Sequence, residues 1–459
     1  MTSSSSAPPR TIWLVLAAAL ILRVMVILFA FTPLLPTLFP DSGIDNSHRL
    51  ELRDDEVFYH QVGSAPQRLF YLEHRFGQAV TTIGPVYPLF LAPFIALFRE
   101  NLAVQLTAIR LAQALIDTAA VGLVYLIARQ LFGQSVGRIA LLIQALDVRY
   151  MYQAGTILTE TVFIGLFLLA LWLYVRAVQQ QKMGLYRLAG VALALATLTR
   201  PVPVLFPALL AVHLLIAAGD RRRALAGLAW MIGMMALVML PWQVRVGIVT
   251  GELVPVSKTG TVHLWLASRE DGQALGKGTI DEARDEEIGP NVGQRDTAQG
   301  AYISTALENI LSAPGRWLAR IGRDTLAAYL QPYGTVIAQG SSSISAKQVV
   351  LEFLAGERAF ADVLALPGLM PRLLMYIWHY AGLIGGIAGA VLVMARRQWQ
   401  ALPLIFWIIY GTVLSAVLLV EPRYLFPLMA AFTILAAYAA DALVKALNKH
   451  TAPVPQAGG

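Results

Sequence analysis

The sequence predicts an all-α polytopic membrane protein with a bundle of about ten transmembrane helices. Of its 459 residues, 57% are apolar and 14% are charged, whereas soluble domains carry about 25% charged residues. Apolar runs of roughly 20 residues, the length that crosses about 30 Å of hydrocarbon, follow one another along the chain. Short clusters of basic residues separate these runs, as is typical of loops that stay in the cytoplasm. An ordinary soluble globular protein is therefore excluded.

Ten apolar runs have the composition of membrane spans. With the N-terminus inside, basic residues outnumber acidic residues in the cytoplasmic connections, in agreement with the positive-inside rule. We therefore expect a multi-pass protein of the plasma (inner) membrane with both termini in the cytoplasm. The predicted spans are residues 12–32, 103–128, 136–153, 158–176, 188–199, 201–218, 224–243, 372–394, 401–420 and 424–444.

Two long polar segments, residues 33–102 and 244–371, fall outside the membrane and hold 22 of the 28 acidic residues. The function is therefore expected to face away from the cytoplasm. Within the first segment, the run from Pro85 to Phe98 is apolar but short, which favours a re-entrant or interfacial helix over a span. Within the second segment, residues 302–311 and 314–330 have the spacing of two amphipathic helices that lie on the membrane surface.

These boundaries divide the chain into six parts. They are the N-terminus with the first span (1–32), the first outer loop (33–102), spans two to seven (103–243), a small extracytoplasmic segment (244–371), spans eight to ten (372–444) and a cytoplasmic tail (445–459).

The composition also limits the chemistry. The chain has no cysteine, which excludes disulfides, thiolate metal sites and cysteine nucleophiles. Its seven histidines are scattered without metal-ligand spacing, so no residue is assigned as a metal ligand. The net charge of +7 arises from separate clusters between apolar runs, and this distribution does not predict nucleic-acid binding.

Charged residues at membrane depth are costly and persist only with a partner or a function. Arg200 is followed by Pro201, which disfavours helix at the preceding residue, so the chain should break there. A guanidinium at such a break can bind a phosphate through two parallel hydrogen bonds. The alternative is an arginine that reaches the lipid headgroups, and the same two interpretations apply to Arg423 after Pro422. By the predicted topology Glu160 lies at the same outer level and can share one pocket with both arginines.

The first outer loop contains a second charged cluster, Arg53-Asp54-Asp55-Glu56, followed by Tyr59. If a helix begins near Asp54, Asp55 and Tyr59 lie on one face as an i, i+4 pair. A carboxylate in this cluster could act as a general base. The alternative is a solvated helix start, because aspartate is favoured at helix N-caps.

Seven segments, in order along most of the chain, carry the motifs of one family. On these motifs the chain resembles the membrane-embedded GT-C glycosyltransferases, in the protein-mannosyltransferase-like branch that uses polyprenyl-phosphate sugars. Two segments depart from the family pattern: Asp147-Val148-Arg149 stands where proline is usual, and Gly260-Thr261-Val262-His263 stands where Gly-Gly-x-Asn is usual. The matching segments are Arg23, Asp55-Glu56-x-x-Tyr59, Gly84-Pro85-Val86-Tyr87-Pro88-Leu89, Leu158-Thr159-Glu160, Leu198-Thr199-Arg200-Pro201, Leu240-Pro241-Trp242-Gln243-Val244-Arg245 and Glu421-Pro422-Arg423-Tyr424-Leu425-Phe426-Pro427.

The resemblance implies a bundle of helices around an outward cavity, with the first outer loop as the catalytic wall. The family's catalytic aspartate falls on Asp55, although the adjacent Asp54 leaves two candidates for the base. It implies an inverting transfer of a sugar from a polyprenyl-phosphate donor to an acceptor hydroxyl.

The remaining candidate residues take substrate-binding roles in this scheme. Arg200, Arg423, Arg245 and Lys258 would hold the donor phosphate. Glu56, Tyr59 and Glu160 would bind sugar hydroxyls, or alternatively a divalent cation. The expected partners are thus a lipid-linked sugar donor, membrane lipids and an acceptor that can be a glycan, a lipid or a protein.

Two other functions fit part of the pattern. A transporter or flippase for an anionic lipid or solute would also need buried arginines and broken helices. A polymerase or ligase that joins lipid-linked glycans would share the site chemistry and differ in the size of its donor. The carboxylate cluster in an outer loop, away from the middle of the membrane, favours the enzyme over the transporter.

Overall fold

The structure, a computed structural model, describes residues 10–32, 52, 55–72, 79–252, 254, 256, 259–269, 288, 299–335, 352–359, 361 and 369–451. In this part of the chain the regular elements are helical, which confirms the predicted all-α class. The N-terminal half contains α1 (Arg10–Ala30), α2 (Asp55–Ser64), α3 (Val86–Leu97), α4 (Leu102–Phe132), α5 (Gln134–Ala145), α6 (Val148–Gln153), α7 (Glu160–Gln180), α8 (Met183–Thr199), α9 (Phe206–Ala217) and α10 (Arg221–Thr250).

The C-terminal half begins with three helices outside the predicted spans, and ends with the last hydrophobic helices. These elements are α11 (Thr259–Ser268), α12 (Gln299–Ser312), α13 (Pro314–Leu330), α14 (Leu369–Ala395), α15 (Leu402–Leu418), the short α16 (Pro422–Leu425) and α17 (Met429–Thr451).

Seven of the described helices are long and apolar enough to cross a membrane. They are α1, α4, α7, α10, α14, α15 together with the turn before it, and the stretch from Pro422 to Asn448. Shorter apolar helices are α3, α8, and α9 with its preceding turn. The structure therefore confirms a multi-span helical architecture, while the total of about ten crossings stays a prediction.

The predicted span 136–153 is two helices in the structure. Helix α5 ends at Ala145 and α6 begins at Val148, because the Asp147 side chain accepts a hydrogen bond from the Arg149 amide (3.0 Å) and caps the new helix. At the other side of the break, the Arg23 guanidinium donates to the Ala145 carbonyl (3.1 Å). Arg23 is itself held by Asp117 of α4 at 2.5 Å.

The core of the bundle is formed by α7, α8 and α10 on one side and by α14, α17 and α5 on the other, with α4 packed against α5 and α7. Aromatic rings fill its centre: Trp407 of α15 stacks on Phe167 of α7 with ring centres 3.9 Å apart. Outside these spans, α2 packs on α3, and α11 packs on α12. The first outer loop therefore has its own helical wall above the bundle.

Candidate active site

The centre of the candidate site is the Glu160 carboxylate, at the first residue of α7. Its side chain is fully buried, and a charge in such a place is stable only when it is paired. One oxygen, Oε1, accepts hydrogen bonds from both the Arg200 and the Arg423 guanidinium groups. Two arginines from distant parts of the chain thus converge on a single buried carboxylate.

Helix breaks place both arginines at this level. Arg200 follows the last residue of α8 and has extended backbone angles (φ −144°, ψ 129°), as expected for a residue before proline. The segment before Arg423 is also extended, with Glu421 at φ −136° and ψ 150°, and Pro422 then starts the four-residue α16. The predicted break at Arg200-Pro201 is confirmed, and each proline marks the point where a guanidinium reaches the site.

Asp55 joins the same cluster from the first outer loop. It is the first residue of α2, and its Oδ2 accepts a hydrogen bond from Arg423 Nη1 at 2.6 Å. The Asp55 side chain is 57% exposed, whereas that of Arg423 is 17% exposed. The carboxylate therefore has one edge against the arginine and another edge open to an incoming molecule.

Glu56 faces a different partner. Its Oε1 accepts a hydrogen bond from the backbone amide of Ile157 at 2.8 Å. Ile157 belongs to the loop between α6 and α7. The backbone carbonyls of this loop accept hydrogen bonds from two side chains of α4. Gln113 donates to the carbonyls of residues 154 and 156 (3.0 and 2.6 Å), and Arg110 donates to the carbonyl of residue 155 (2.8 Å). The α6–α7 loop is thus a fixed connection between Glu56 and the start of α7.

Tyr59 lies one turn after Asp55 in α2, as the sequence predicts. Its ring meets the ring of Tyr87 edge-on, with centres 5.2 Å apart, and the Tyr87 hydroxyl donates to Gln113 (3.0 Å). Burial raises the pKa of Tyr59 to about 12. The Tyr59 hydroxyl is therefore protonated at neutral pH and can donate a hydrogen bond.

Arg245 is placed differently from Arg200 and Arg423. Its guanidinium donates to the backbone carbonyls of Tyr71 (3.0 Å), Arg68 (3.1 Å) and Val80. These contacts tie the end of α10 to the first outer loop and stabilise the wall that carries Asp55. The structure thus gives Arg245 a structural role, and its phosphate contact stays a prediction. Asp54 and Lys258 lie outside the described residues.

His263 of α11 also faces the site, although the sequence treats it only as a departure from a family motif. Its ring centre lies 6.1 Å from that of Tyr424, and the Arg200 Cζ lies 5.2 Å from the same Tyr424 ring. Burial and the charge of Arg200 lower the pKa of His263 to about 4. The imidazole is therefore neutral at neutral pH.

Two other polar groups lie at the site. Glu421, which the sequence places at the outer end of its span together with Arg423, lies beside the cluster, and burial raises the pKa of its carboxyl. Gln113 could have been suspected from the sequence, because Arg110, Gln113 and Asp117 form a polar stripe at helical spacing within an apolar run. The sequence does not show that this polar stripe binds the α6–α7 loop.

The carboxylates of the site are directed at arginines and amides. Within the described ranges, no group of three or more histidine, aspartate or glutamate side chains converges as metal ligands. Glu160 and Asp55 bond to guanidinium groups and Glu56 bonds to a backbone amide. The divalent cation stays a prediction.

A family model described as "Dolichyl-phosphate-mannose-protein mannosyltransferase" matches residues 83–244. This stretch includes α3 to α10 apart from the last turns of α10, and it contains Glu160 and Arg200. A comparison with curated proteins finds no match.

Solved structures share the fold of nearly the whole chain. The archaeal oligosaccharyltransferase AglB from Archaeoglobus fulgidus, in complex with an inhibitory peptide and a dolichol-phosphate, has a TM-score of 0.52 at 13% identity, over 98% of this chain and 53% of AglB. An Archaeoglobus fulgidus oligosaccharyltransferase tethered with an acceptor peptide has a TM-score of 0.55 at 14% identity, over 96% of this chain and 50% of that chain. The chain thus spans about half the length of these oligosaccharyltransferase chains.

ArnT from Cupriavidus metallidurans bound to undecaprenyl phosphate is 15% identical over 98% of this chain and 82% of ArnT, but its TM-score of 0.40 is too low to support a shared fold. The likeness to the oligosaccharyltransferases confirms the GT-C-like bundle that the sequence motifs predict. In fold the chain is thus a GT-C-like membrane protein, and its residues 83–244 are similar to the dolichyl-phosphate-mannose-protein mannosyltransferase family.

Proposed function

We propose that the protein is an inverting glycosyltransferase that moves a sugar from a polyprenyl-phosphate donor to an acceptor hydroxyl on the outer face of the membrane. The observation that carries this proposal is the hydrogen-bonded cluster of an accessible carboxylate, Asp55, with two guanidinium groups that share Glu160. A base and a phosphate site within one cluster are the parts that this reaction needs. The family match over residues 83–244 supports the same reaction class.

Arg200 and Arg423 would bind the donor phosphate. In the described residues, their contacts with carboxylates use Nη1 of Arg200 and both Nε and Nη1 of Arg423, so other N–H groups remain for phosphate oxygens. Charge-assisted hydrogen bonds of this kind are about twice as strong as neutral ones. They would hold the phosphate in place and stabilise the charge that develops on it as the sugar leaves.

Asp55 would act as the general base. As the acceptor oxygen bonds to the anomeric carbon, the acceptor proton moves to the Asp55 carboxylate and the bond between that carbon and the phosphate oxygen breaks. The products are the glycosylated acceptor and free polyprenyl phosphate. Because the attack comes from the face opposite the phosphate, the anomeric centre is inverted. A positioned base contributes about 10² to 10⁴ in rate.

Glu160 has the role of orienting the arginines. As a buried anion at the start of α7, it fixes both guanidinium groups at one level. Tyr59 would donate its hydroxyl proton to a sugar or acceptor oxygen. Glu56 and Glu160 remain candidate contacts for sugar hydroxyls, and Asp54, Lys258 and Arg245 remain candidates for the roles that the sequence motifs assign them.

The setting of the reaction follows from charge and hydropathy. The positive-inside distribution of basic residues supports a plasma-membrane protein with cytoplasmic termini and an extracytoplasmic site. The donor would reach the site from the outer leaflet. The acceptor would be a glycan, a lipid or a protein presented from outside.

The proposal is tested with the purified full-length protein and a panel of polyprenyl-phosphate sugars. We expect one donor to release free polyprenyl phosphate in the presence of acceptor. Asp55→Asn should keep donor binding and lower transfer by about 10² to 10⁴. Movement of lipid or solute across vesicles without cleavage of any donor, unchanged in Asp55→Asn, would instead support the transporter.

A further inference from the structure

The C-terminal end of α13 is hydrogen-bonded to side chains of two hydrophobic helices, α14 and α15. The backbone carbonyl of Tyr329 accepts a hydrogen bond from His379 of α14 (2.7 Å), and the carbonyl of Leu330 accepts one from the Tyr380 hydroxyl (2.6 Å). The Tyr329 hydroxyl pairs with Thr412 of α15 at 2.6 Å. The last turn of α13 therefore lies between α14 and α15.

The depth of this last turn can be measured along its neighbours. A short link, residues 396–401, joins α14 to α15, so the adjoining ends of both helices lie at the same membrane face. Tyr380 precedes Ala395 by a length of about 22 Å, and Thr412 follows Leu402 by about 15 Å, at 1.5 Å per residue. The hydrocarbon layer is about 30 Å thick. The end of α13 therefore lies inside the hydrocarbon layer, below the surface that is opposite the α14–α15 link. Tilt of α14 and α15 would place it deeper.

The chemistry of the α13 terminus fits that depth. The last carbonyls of a helix lack partners within the helix, and in water they are hydrated. In hydrocarbon each one needs a protein donor. Here His379 and Tyr380 supply those donors. Arg149 donates to His379 Nδ1 (2.9 Å), which leaves the proton on Nε2 for the Tyr329 carbonyl.

Arg149 is in turn fixed by Asp147, with hydrogen bonds of 3.0 and 2.6 Å to the two carboxylate oxygens. These two residues are the segment in which the sequence departs from its family pattern. Their role in the structure is to orient the histidine that caps α13. The anchoring of α13 therefore extends through His379 to the Asp147–Arg149 ion pair.

The charged residues of α13 are confined to the part of the helix that precedes its inserted end. The ionic residues Arg316, Arg320, Arg323 and Asp324 all lie in its first two thirds, and residues 325–330 are uncharged. The exposed face of the last turns is apolar: the side chains of Leu326 and Leu330 are 60% and 52% exposed. Near the residues of α14 and α15 that bond to α13, Ile377 and Val413 are also exposed, by 59% and 56%.

We propose that α13 is inserted obliquely into the membrane, with its charged first two thirds at the headgroups and its uncharged residues 325–330 in the acyl chains of the leaflet opposite the α14–α15 link. The partner of its exposed leucine face is lipid. This arrangement refines the predicted surface helix, and it does not depend on the proposed glycosyl transfer.

The chain offers a direct test because it contains no cysteine. A nitroxide is attached to a single cysteine in Ala319→Cys or in the matched Ala327→Cys, two exposed alanines eight residues apart in α13. Each protein is reconstituted in phosphatidylcholine vesicles. Collision rates with oxygen, which concentrates in hydrocarbon, are compared with those of a water-soluble nickel chelate.

We expect the label at residue 327 to collide at least severalfold more with oxygen than with the chelate, and the label at residue 319 to show the lower ratio of the headgroup region. Equal chelate access at both positions would overturn the proposal, because α13 would then lie in water. Low access of both reagents at residue 327 would also overturn it, because protein would then cover the leucine face.

Discussion

The carboxylate of Asp55 lies 2.6 Å from the Nη1 of Arg423, although the two residues are 368 positions apart in the chain. The same guanidinium bonds through Nε to Glu160. Arg423 therefore joins the first outer loop to the start of α7, and a phosphate bound by its remaining N–H groups would lie beside the base.

Substitution of Arg200 tests the phosphate contact. Arg200→Ala should weaken binding of a polyprenyl phosphate by roughly 10- to 100-fold, because a hydrogen bond to a charged group contributes about 1.5–3 kcal/mol. Arg200→Lys should lose less, since lysine keeps the charge but not the planar fork. Equilibrium binding of a fluorescent polyprenyl phosphate measures both values. Arg187→Ala, in which the lost guanidinium lies 4.3 Å from the Trp230 ring, is the control. An equal loss in both Arg200 variants, or none, would contradict phosphate binding by this residue.

Substitution of Glu160 tests whether this buried carboxylate stabilises the two arginines that share it. Glu160→Ala removes a buried anion and leaves two guanidinium groups without their shared partner. Breaking a buried ion pair in this way costs about 3–5 kcal/mol. We therefore expect a clear decrease in the thermal unfolding midpoint in detergent, and a smaller decrease for Glu160→Gln, which keeps the hydrogen-bonding oxygen. An unchanged midpoint in Glu160→Ala would show that water already compensates both arginines.

Substitution of Gln113 tests whether its hydrogen bonds fix the position of the α6–α7 loop. Gln113→Ala leaves two buried carbonyls without their donor, at a cost of about 1–3 kcal/mol each. Because this loop holds Glu56, the position of α2 relative to α7 should become less defined. Spin labels at Gln61 and Gln180, both exposed, report that distance by pulsed electron resonance. We expect a broader distribution than in the parent.

The matched control for this experiment is Thr118→Ala, because Thr118 is also on α4 but donates only to the Ala114 carbonyl of its own helix (2.8 Å). Its distance distribution should equal that of the parent. An unchanged distribution in Gln113→Ala would show that Glu56 does not depend on the loop for its position.

The lowered pKa of His263 predicts that the stability of the folded protein depends on pH. Its pKa falls from 6.5 to about 4 on folding, mainly through burial. The unfolded chain therefore binds a proton more readily than the folded chain, and stability decreases as the pH falls from 6.5 towards 4. His263→Gln lacks this group, so its unfolding midpoint should decrease less over that interval. Parallel curves for parent and variant between pH 7 and 4.5 would contradict a buried neutral imidazole.

The sequence by itself determined the helical class, the main hydrophobic helices and the break at Arg200-Pro201. These features depend on hydropathy over about 20 residues and on the local effect of proline, so neighbours in sequence are sufficient to predict them. The same local reasoning missed the division of residues 136–153, because the end of α5 at Ala145 is held there by Arg23, which is itself paired with Asp117 of α4.

The tertiary structure alone decided which charges meet. The sequence placed Glu160, Arg200 and Arg423 at one outer level and Asp55 in the first outer loop, but no pattern shows that both arginines share one oxygen of Glu160. Nor does it show that Glu56 faces a backbone amide, or that Arg245 holds the first outer loop through three carbonyls. Each of these contacts joins segments at least 40 residues apart, and only packing of the helices fixes the distances over which hydrogen bonds and ion pairs act.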